Sequence, residues 1–294
     1  MHKQNTFLYK AKTFLFFAGP ACLAFTAVVI IPFLYGIYLT FTSWDGISNA
    51  KPFVGFANYA SVFQDLEFWK SLLKTLQYVL FTVILANLTA FILAYLVTSK
   101  IKGKNFFRTG FFTPNLIGGI VLGYIWQFVF SKAIPVLGKV TGIGLFSTSW
   151  LSDPTKAFWS LVVVSVWQLS GYLMLIYIAG LTGVSKDIIE AGKIDGCKEH
   201  QAIRYITLPM MASSFTICFF LSITRCFMVY DLNISLTEGG PFGSTIMVAM
   251  YVYQKAFSSK QYGIGQAEAL ILFLVTAVIA VTQAYIGKSK EVEA

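Results

Sequence analysis

The chain alternates between long apolar runs and short polar segments. Several apolar runs reach about 20 residues, the length that a helix needs to cross about 30 Å of hydrocarbon. We interpret six of them as membrane-spanning helices: 14–38, 73–97, 116–130, 158–181, 215–232 and 265–286. The pattern therefore predicts an all-α polytopic membrane protein with six transmembrane helices.

A seventh apolar run, 246–257, contains only 12 residues. The segment before it, 236–241, reads LTEGGP and breaks any helix. A run this short is typical of a re-entrant or interfacial helix rather than a span. Because no soluble domain or repeat is visible, we expect residues 1–294 to form a single transmembrane domain.

Composition and charge agree with a membrane protein. Hydrophobic residues make up 56% of the chain, charged residues only 12%, and the mean hydropathy is +0.70. The net charge of +9 indicates membrane topology rather than nucleic-acid binding, because no folded polar surface carries a basic patch. Thirteen Lys and Arg residues, Lys3, Lys100 and Lys102 among them, fall on the side that holds both termini, against eight on the other side. The positive-inside rule then places both termini in the cytoplasm.

The sequence shows no sign of an enzyme or of a bound cofactor. The nucleotide-binding pattern GxxxxGK[ST] does not occur. His2 and His200 have no carboxylate partners at catalytic spacing, so we predict no catalytic residue. The cysteines show no metal-ligand spacing, and we expect neither a metal site nor a disulfide.

A polar loop, about 182–212, separates the fourth and fifth predicted spans. Ser185 or Asp187 is placed to cap a helix whose first turn carries Glu190. Gly192 and Gly196 allow a close approach or a break, so the pattern predicts a short helix, a turn and a second helix. Isoleucines in the loop are available to fill an apolar cleft on a partner. The alternative is an ordinary solvated loop.

The segment 189–197, IEAGKIDGC, continues to Ile206-Thr207-Leu208-Pro209 and resembles the EAA motif of type I ABC importer permeases of the carbohydrate-uptake branch. It departs from that motif at Gly192 and Cys197, where the family prefers alanine, at Ile203 in place of phenylalanine and at Ser213 in place of proline. The resemblance implies that this loop docks on a cytoplasmic ATPase. The implied coupling residues are Glu190, Ala191, Gly192, Asp195, Gly196, Ile206, Leu208 and Pro209.

A second motif, Tyr230-Asp231 followed by 236–241, resembles the signature of sugar permeases after their fifth core helix. Together, the motifs are similar to the raffinose and multiple-sugar permeases of low-GC Gram-positive bacteria. The resemblance implies a permease subunit of an ATP-driven importer in the bacterial plasma membrane that translocates an oligosaccharide. Its implied partners are a second homologous permease, two cytoplasmic ATP-binding subunits, which use the ATP and Mg, and an extracellular solute-binding protein.

Polar residues within the spans are the candidates for contact with substrate, since such residues usually face a cavity or another helix. Ser165, Gln168 and Tyr172 share one face of the fourth span. Ser222 and Arg225, with Cys226 beside them, occupy the fifth span. In maltose-type permeases the corresponding faces line the sugar site. An arginine within a membrane span carries a high free-energy cost. Arg225 therefore serves either as a bidentate hydrogen-bond donor to the substrate or as a partner in an ion pair, with Asp231 or with the partner permease.

Four other functions compete with an oligosaccharide importer. An acidic or amino sugar is an alternative cargo, since related permeases often carry asparagine at the position of Arg225. Amino acids, phosphate or metal are further cargoes of the same fold, against which the 237–241 signature argues. An ion-coupled secondary transporter predicts membrane-buried acids, and we find no buried acidic pair in the sequence. A membrane-embedded enzyme requires clustered His, Asp or Glu.

Overall fold

A computed structural model describes residues 4–99 and 103–291. The helices in chain order are α1 (Gln4–Phe17), α2 (Gly19–Leu39), α3 (Ala57–Gln64), α4 (Leu66–Thr98), α5 (Lys104–Leu116), α6 (Gly119–Thr141), α7 (Pro154–Gly183), α8 (Lys186–Ile194), α9 (Glu199–Met210), α10 (Ala212–Phe227), α11 (Asp231–Leu236), α12 (Val248–Tyr253) and α13 (Tyr262–Lys288). His2, Lys3, Lys100 and Lys102 lie outside the described residues. The all-α architecture predicted from the sequence is confirmed.

Five helices of the described chain, α2, α4, α6, α7 and α13, are long and apolar enough to cross a membrane. Helices α9 and α10 meet at a bend of 65° and form a sixth candidate if the pair counts as one span. Helix α12 is short, as expected for the apolar run 246–257. The structure therefore contains five of the six predicted spans as long helices, and the sixth only if α9 and α10 count as one bent span.

All six predicted spans differ from the observed helices at one end or both; the second, 73–97, begins earlier, at Leu66. The first, 14–38, includes the end of α1, and α2 starts only at Gly19, where Pro20 occupies the first turn and needs no N–H partner. The third, 116–130, continues to Thr141. A π-helical turn at Val129–Ala133 precedes Pro135, which then lies in the first turn of the following α-helical segment. The fifth, 215–232, ends at Phe227, and a separate helix begins at Asp231.

The contacts divide the chain into two compact units, and the expected single domain over 1–294 stays a prediction. Unit 1 is Met1–Asp65 with Val252–Leu270. In it, the buried Asn58 Nδ2 donates to the carbonyl oxygens of Thr40 and Thr42 at 2.7 and 2.8 Å. Gly263 lies against Thr42 so closely that a Cβ would stand 2.0 Å from the Thr42 oxygen. These contacts fix the segment after α2 within unit 1.

Unit 2 is Leu66–Tyr251 with Ile271–Ala294, and α4 and α7 pack together at its centre. Small residues along α4, among them Ala86, Ala90 and Ala94, are fully buried and let the helices approach closely. A hydrogen-bonded chain crosses three helices: Tyr177 Oη donates to Asn87 Oδ1 at 2.8 Å, and Asn87 Nδ2 donates to Ser222 Oγ at 3.0 Å. Helices α4, α7 and α10 are therefore held in one register.

The segment between α11 and α12 is organised around the fully buried Asn233. Its Nδ2 donates to Thr237 Oγ1 at 3.0 Å and to the Thr245 carbonyl at 2.8 Å, and its Oδ1 accepts from the Met247 N–H at 3.1 Å. Gly239 has a φ of +78°, which other residues rarely adopt. The 236–241 motif is thus a folded turn rather than a free loop.

We expect Asn233→Ala to lower the thermal midpoint of the purified protein, because it removes three hydrogen bonds from buried groups. A buried polar group left without its partner costs about 1–3 kcal/mol. The exposed Asn105→Ala, measured in the same detergent, is the matched control. Equal midpoints for both variants contradict the proposed role of Asn233.

Candidate functional site

The polar loop forms a helical hairpin, defined here as residues 185–210. Ser185 Oγ accepts a hydrogen bond from the Asp187 N–H at 3.3 Å and caps α8, so the cap is Ser185 rather than Asp187. A turn at Gly196, with φ +84°, separates α8 from α9. At the start of α9, Gln201 Oε1 accepts from the Lys198 N–H at 2.8 Å. The predicted helix, turn and second helix are all present.

Helix α8 has no buried residue. Glu190, Ala191, Asp195 and Gly196 are exposed. Ile188 and Ile194 are also exposed, Ile194 to 87%. Ile189 is half-buried, so α8 packs one side against the protein and presents the other, with Ile188 and Ile194, as a surface suited to a partner protein.

The other predicted coupling residues hold the hairpin together or join it to α10. Gly192, Ile206, Leu208 and Pro209 are half-buried. A Cβ on Gly192 would lie 2.6 Å from Ile206 Cδ1. Gly192 is therefore the point where α8 touches α9, which gives a physical reason for glycine where the family prefers alanine.

We expect Gly192→Val to loosen the hairpin, because the added methyl groups overlap Ile206. Overpacking of this kind typically costs about 1–3 kcal/mol. Limited proteolysis of the hairpin measures the effect, and the double variant Gly192→Val with Ile206→Ala should regain resistance. Gly110→Val, at a helical glycine with nothing within 4 Å of its Cβ position, is the control. Unchanged cleavage in Gly192→Val contradicts the contact.

The hairpin is continuous with the centre of unit 2 on both sides. Helix α7 leads into it, and α10 leaves it after the bend at Met211. A Cβ on Gly180 would lie 2.3 Å from Ser214 Oγ, so α7 and α10 are in direct contact next to the hairpin. The hairpin is therefore joined directly to two helices that are in contact with each other.

A cavity of about 380 Å³ opens near the other end of α10. Its lining residues are Tyr78, Gly119, Ser165, Gln168, Leu169, Thr224, Arg225, Cys226, Met228, Val229, Tyr230, Asp231 and Leu232. Both helices that flank the hairpin contribute to this lining. Since polar donors and acceptors stand beside aromatic and aliphatic groups, the cavity has the character of a site for a polar organic molecule.

Arg225 is held at the cavity by two neighbours. Its Nη1 donates to Asn115 Oδ1 at 2.8 Å, and its guanidinium lies 5.5 Å from the centre of the Tyr172 ring. Although Asp231 also lines the cavity, the two form no ion pair in the described part of the chain. Asn115 uses one of the N–H donors of the guanidinium, so donors remain for another acceptor.

The structure brings four of the six predicted substrate residues to the cavity: Ser165, Gln168, Arg225 and Cys226. Ser165 Oγ accepts from Tyr78 Oη at 2.6 Å, and Gln168 Nε2 donates to the Ile117 carbonyl at 3.1 Å. Tyr172 lies against Arg225 without lining the cavity. Ser222 is fully buried and accepts a hydrogen bond from Asn87, so it joins α10 to α4 instead of lining the cavity.

Sequence reasoning missed Asn115 and Glu268. Asn115 lies at the end of α5, where no polar periodicity marks it. Glu268 on α13 is fully buried, and neither carboxylate oxygen has a hydrogen-bond partner among the described residues. In the same unit, Lys255 and Asp65 form an ion pair at 2.7 Å. The described residues contain no group of three or more His, Cys, Asp or Glu placed to hold a metal ion.

Comparisons of the sequence and of the fold with known proteins both find membrane subunits of transport systems. Residues 86–292 match the model of a family described as the inner membrane component of binding-protein-dependent transport systems. The probable starch degradation products transport system permease protein of Thermoanaerobacterium thermosulfurigenes is 41% identical over 293 residues, which cover 100% of both chains. The multiple sugar-binding transport system permease protein of Streptococcus mutans is 33% identical and covers 89% of this chain and 90% of its own.

The crystal structure of a bacterial ABC transporter involved in the import of the acidic polysaccharide alginate contains a chain of the same fold. That chain superposes with a TM-score of 0.80 at 18% identity and covers 96% of this chain and 98% of its own length. The resemblance to ABC importer permeases is thereby confirmed, and the role is transport rather than catalysis. The chain belongs to the family of inner membrane components of binding-protein-dependent transport systems.

Proposed function

We propose that this chain is one of two permease subunits of an ATP-driven importer for an oligosaccharide. An extracellular solute-binding protein delivers the sugar, and two cytoplasmic ATP-binding subunits drive the transport. The chain itself binds no cofactor, since ATP and Mg belong to those subunits. Both termini and the 185–210 hairpin lie in the cytoplasm, where ATP is available.

The single observation that carries the proposal is the continuity of α10 from an exposed hairpin to a polar cavity. At one end, α8 offers the exposed Ile188 and Ile194 near Glu190. At the other end, Arg225 and Cys226 line the cavity. A partner that moves the hairpin on closing around ATP would therefore change the cavity through one helix.

Sugar as cargo is supported by the names of the two relatives, which refer to starch degradation products and to multiple sugars. The chemistry of the cavity fits such a cargo. Gln168 and Arg225 supply donors, Asp231 supplies an acceptor, and Tyr230 offers a ring. Hydroxyl groups of a sugar both donate and accept hydrogen bonds, and its apolar faces pack on aromatic rings.

An acidic sugar is a second candidate cargo, favoured by the surroundings of Arg225. Its neighbours Asn115 and Tyr172 are neutral, so they orient the guanidinium without cancelling its charge. A planar carboxylate accepts two parallel hydrogen bonds from such a group. We therefore include uronate-containing oligosaccharides among the substrates to be tested.

The test is ATP hydrolysis by the complex of this chain with the partner subunits encoded beside it, purified into lipid. The complex is exposed to a panel of binding proteins, each loaded with a neutral or an acidic oligosaccharide. We expect one loaded protein to stimulate hydrolysis and the same protein without sugar to have little effect. Hydrolysis that is indifferent to every loaded protein contradicts the proposal.

A further inference from the structure

A second, larger cavity lies along the seam between α10 and the C-terminal part of α13, both in unit 2. Its volume is about 880 Å³. The lining residues are Leu208, Pro209, Ala212, Phe215, Thr216, Phe219, Val278, Ile279, Thr282, Gln283, Ile286, Gly287 and Lys290. We call this cavity the seam groove. Most of its lining is apolar, and it is separate from the cavity at Arg225.

The floor of the seam groove is built by close contacts. A Cβ on Gly287 would lie 2.5 Å from Thr216 Oγ1, and Gln283 Nε2 donates to the Thr216 carbonyl at 3.3 Å. Because Gly287 and Gln283 both contact Thr216, the two helices touch there, while longer side chains on either side form the walls of the groove. The seam groove is a consequence of this packing.

The dimensions of the seam groove match one leaflet of a bilayer. From Val278 to Lys290 the lining covers about 18 Å along the chain at 1.5 Å per helical residue. This length is slightly more than half of the hydrocarbon thickness of about 30 Å. An acyl chain that enters from the membrane surface therefore fits along the groove.

The charge at the end of the seam groove suits an anionic headgroup. Lys290 lines the groove, and Lys288, two residues before it, is exposed. Glu291 follows, so the three side chains leave a net positive charge at the level of the headgroups. Basic pockets between transmembrane helices are typical sites for the headgroups of anionic lipids.

We propose that the seam groove binds one anionic phospholipid in the leaflet on the side of the 185–210 hairpin. Its acyl chain lies against Phe215, Phe219 and Ile279, and its phosphate pairs with Lys290. Leu208 and Pro209, where the hairpin enters α10, belong to the same lining. The lipid therefore occupies the joint between the hairpin and α10.

The test counts the lipids that the assembled transporter complex retains, using native mass spectrometry with phosphatidylglycerol or phosphatidylcholine as the probe. We expect the wild-type complex to retain phosphatidylglycerol in preference to phosphatidylcholine. Thr282→Trp fills the groove from an exposed position and should abolish this preference. The matched control is Val281→Trp, because Val281 is 64% exposed and lies outside the lining.

A second pair of variants tests the charge without changing the packing. Lys290→Gln should require about fivefold more phosphatidylglycerol for half-saturation, and Lys290→Arg should restore binding. Equal retention of both lipids by the wild-type complex overturns the proposal, as does equal retention by the Thr282→Trp and Val281→Trp complexes. A photo-crosslinker at position 282 that reacts with a helix of another subunit instead of with lipid also overturns it.

Discussion

Replacing Glu190 by lysine is expected to reduce ATP-driven uptake at least tenfold while the protein still folds and reaches the membrane. Glu190 is exposed on α8, which has no buried residue, so the change leaves the buried core intact. Reversal of a charge inside a docked interface typically costs several kcal/mol, enough for a loss of this size. Co-purification of the ATP-binding subunits, measured together with uptake, shows where the loss arises.

The control for this prediction is Glu199→Lys in the same hairpin. Glu199 is also exposed and acidic, but it lies beyond the IEAGKIDGC segment, at the start of α9. Its replacement weakens only the favourable interaction with the helix dipole, by about 0.3–1 kcal/mol. If both variants lose uptake to the same degree, the loss reflects added positive charge in general, and Glu190 has no specific role in docking.

Replacing Arg225 by alanine should reduce uptake about tenfold to a hundredfold with little change in assembly or in basal ATP hydrolysis. A hydrogen bond to a charged group contributes about 1.5–3 kcal/mol, and the guanidinium has donors beyond the one that Asn115 accepts. The loss should be greatest for acidic oligosaccharides. Uptake as a function of sugar concentration measures the change.

Thr224→Ala is the matched control, because Thr224 lines the same cavity. Its hydroxyl already donates to carbonyl oxygens of its own helix, Phe220 at 2.9 Å and Leu221 at 3.1 Å. We expect nearly normal uptake from this variant. If Arg225→Ala prevents assembly of the complex, Arg225 serves structure rather than substrate.

Hydropathy alone was sufficient to predict the helical spans, because a helix in lipid must be both long and apolar. It was not sufficient to place their ends. The π-helical turn before Pro135 and the break at Met228 depend on local hydrogen bonding, which apolar residues on either side do not reveal. The hairpin was predicted correctly because capping residues and glycines carry that information in the sequence itself.

The cavity was predicted less completely than the hairpin. The spacing of Ser165, Gln168 and Tyr172 correctly predicts that they share one face of α7. It does not predict which neighbouring residue packs over each of them. Ser222 lies on a similar face and is covered by Asn87 of α4. Asn115 contacts Arg225 across 110 positions of sequence, and no local pattern connects the two.

The coupling of the hairpin to an ATP-binding subunit is tested most directly by photo-crosslinking from Ile194, which is 87% exposed on α8. Benzoylphenylalanine replaces Ile194 in the assembled complex, and Leu145, 54% exposed in the segment between α6 and α7, receives it as the control. We expect a light-dependent product with the ATP-binding subunit from position 194 and none from position 145. No such product from position 194 in an assembled complex, or equal products from both positions, would contradict the account.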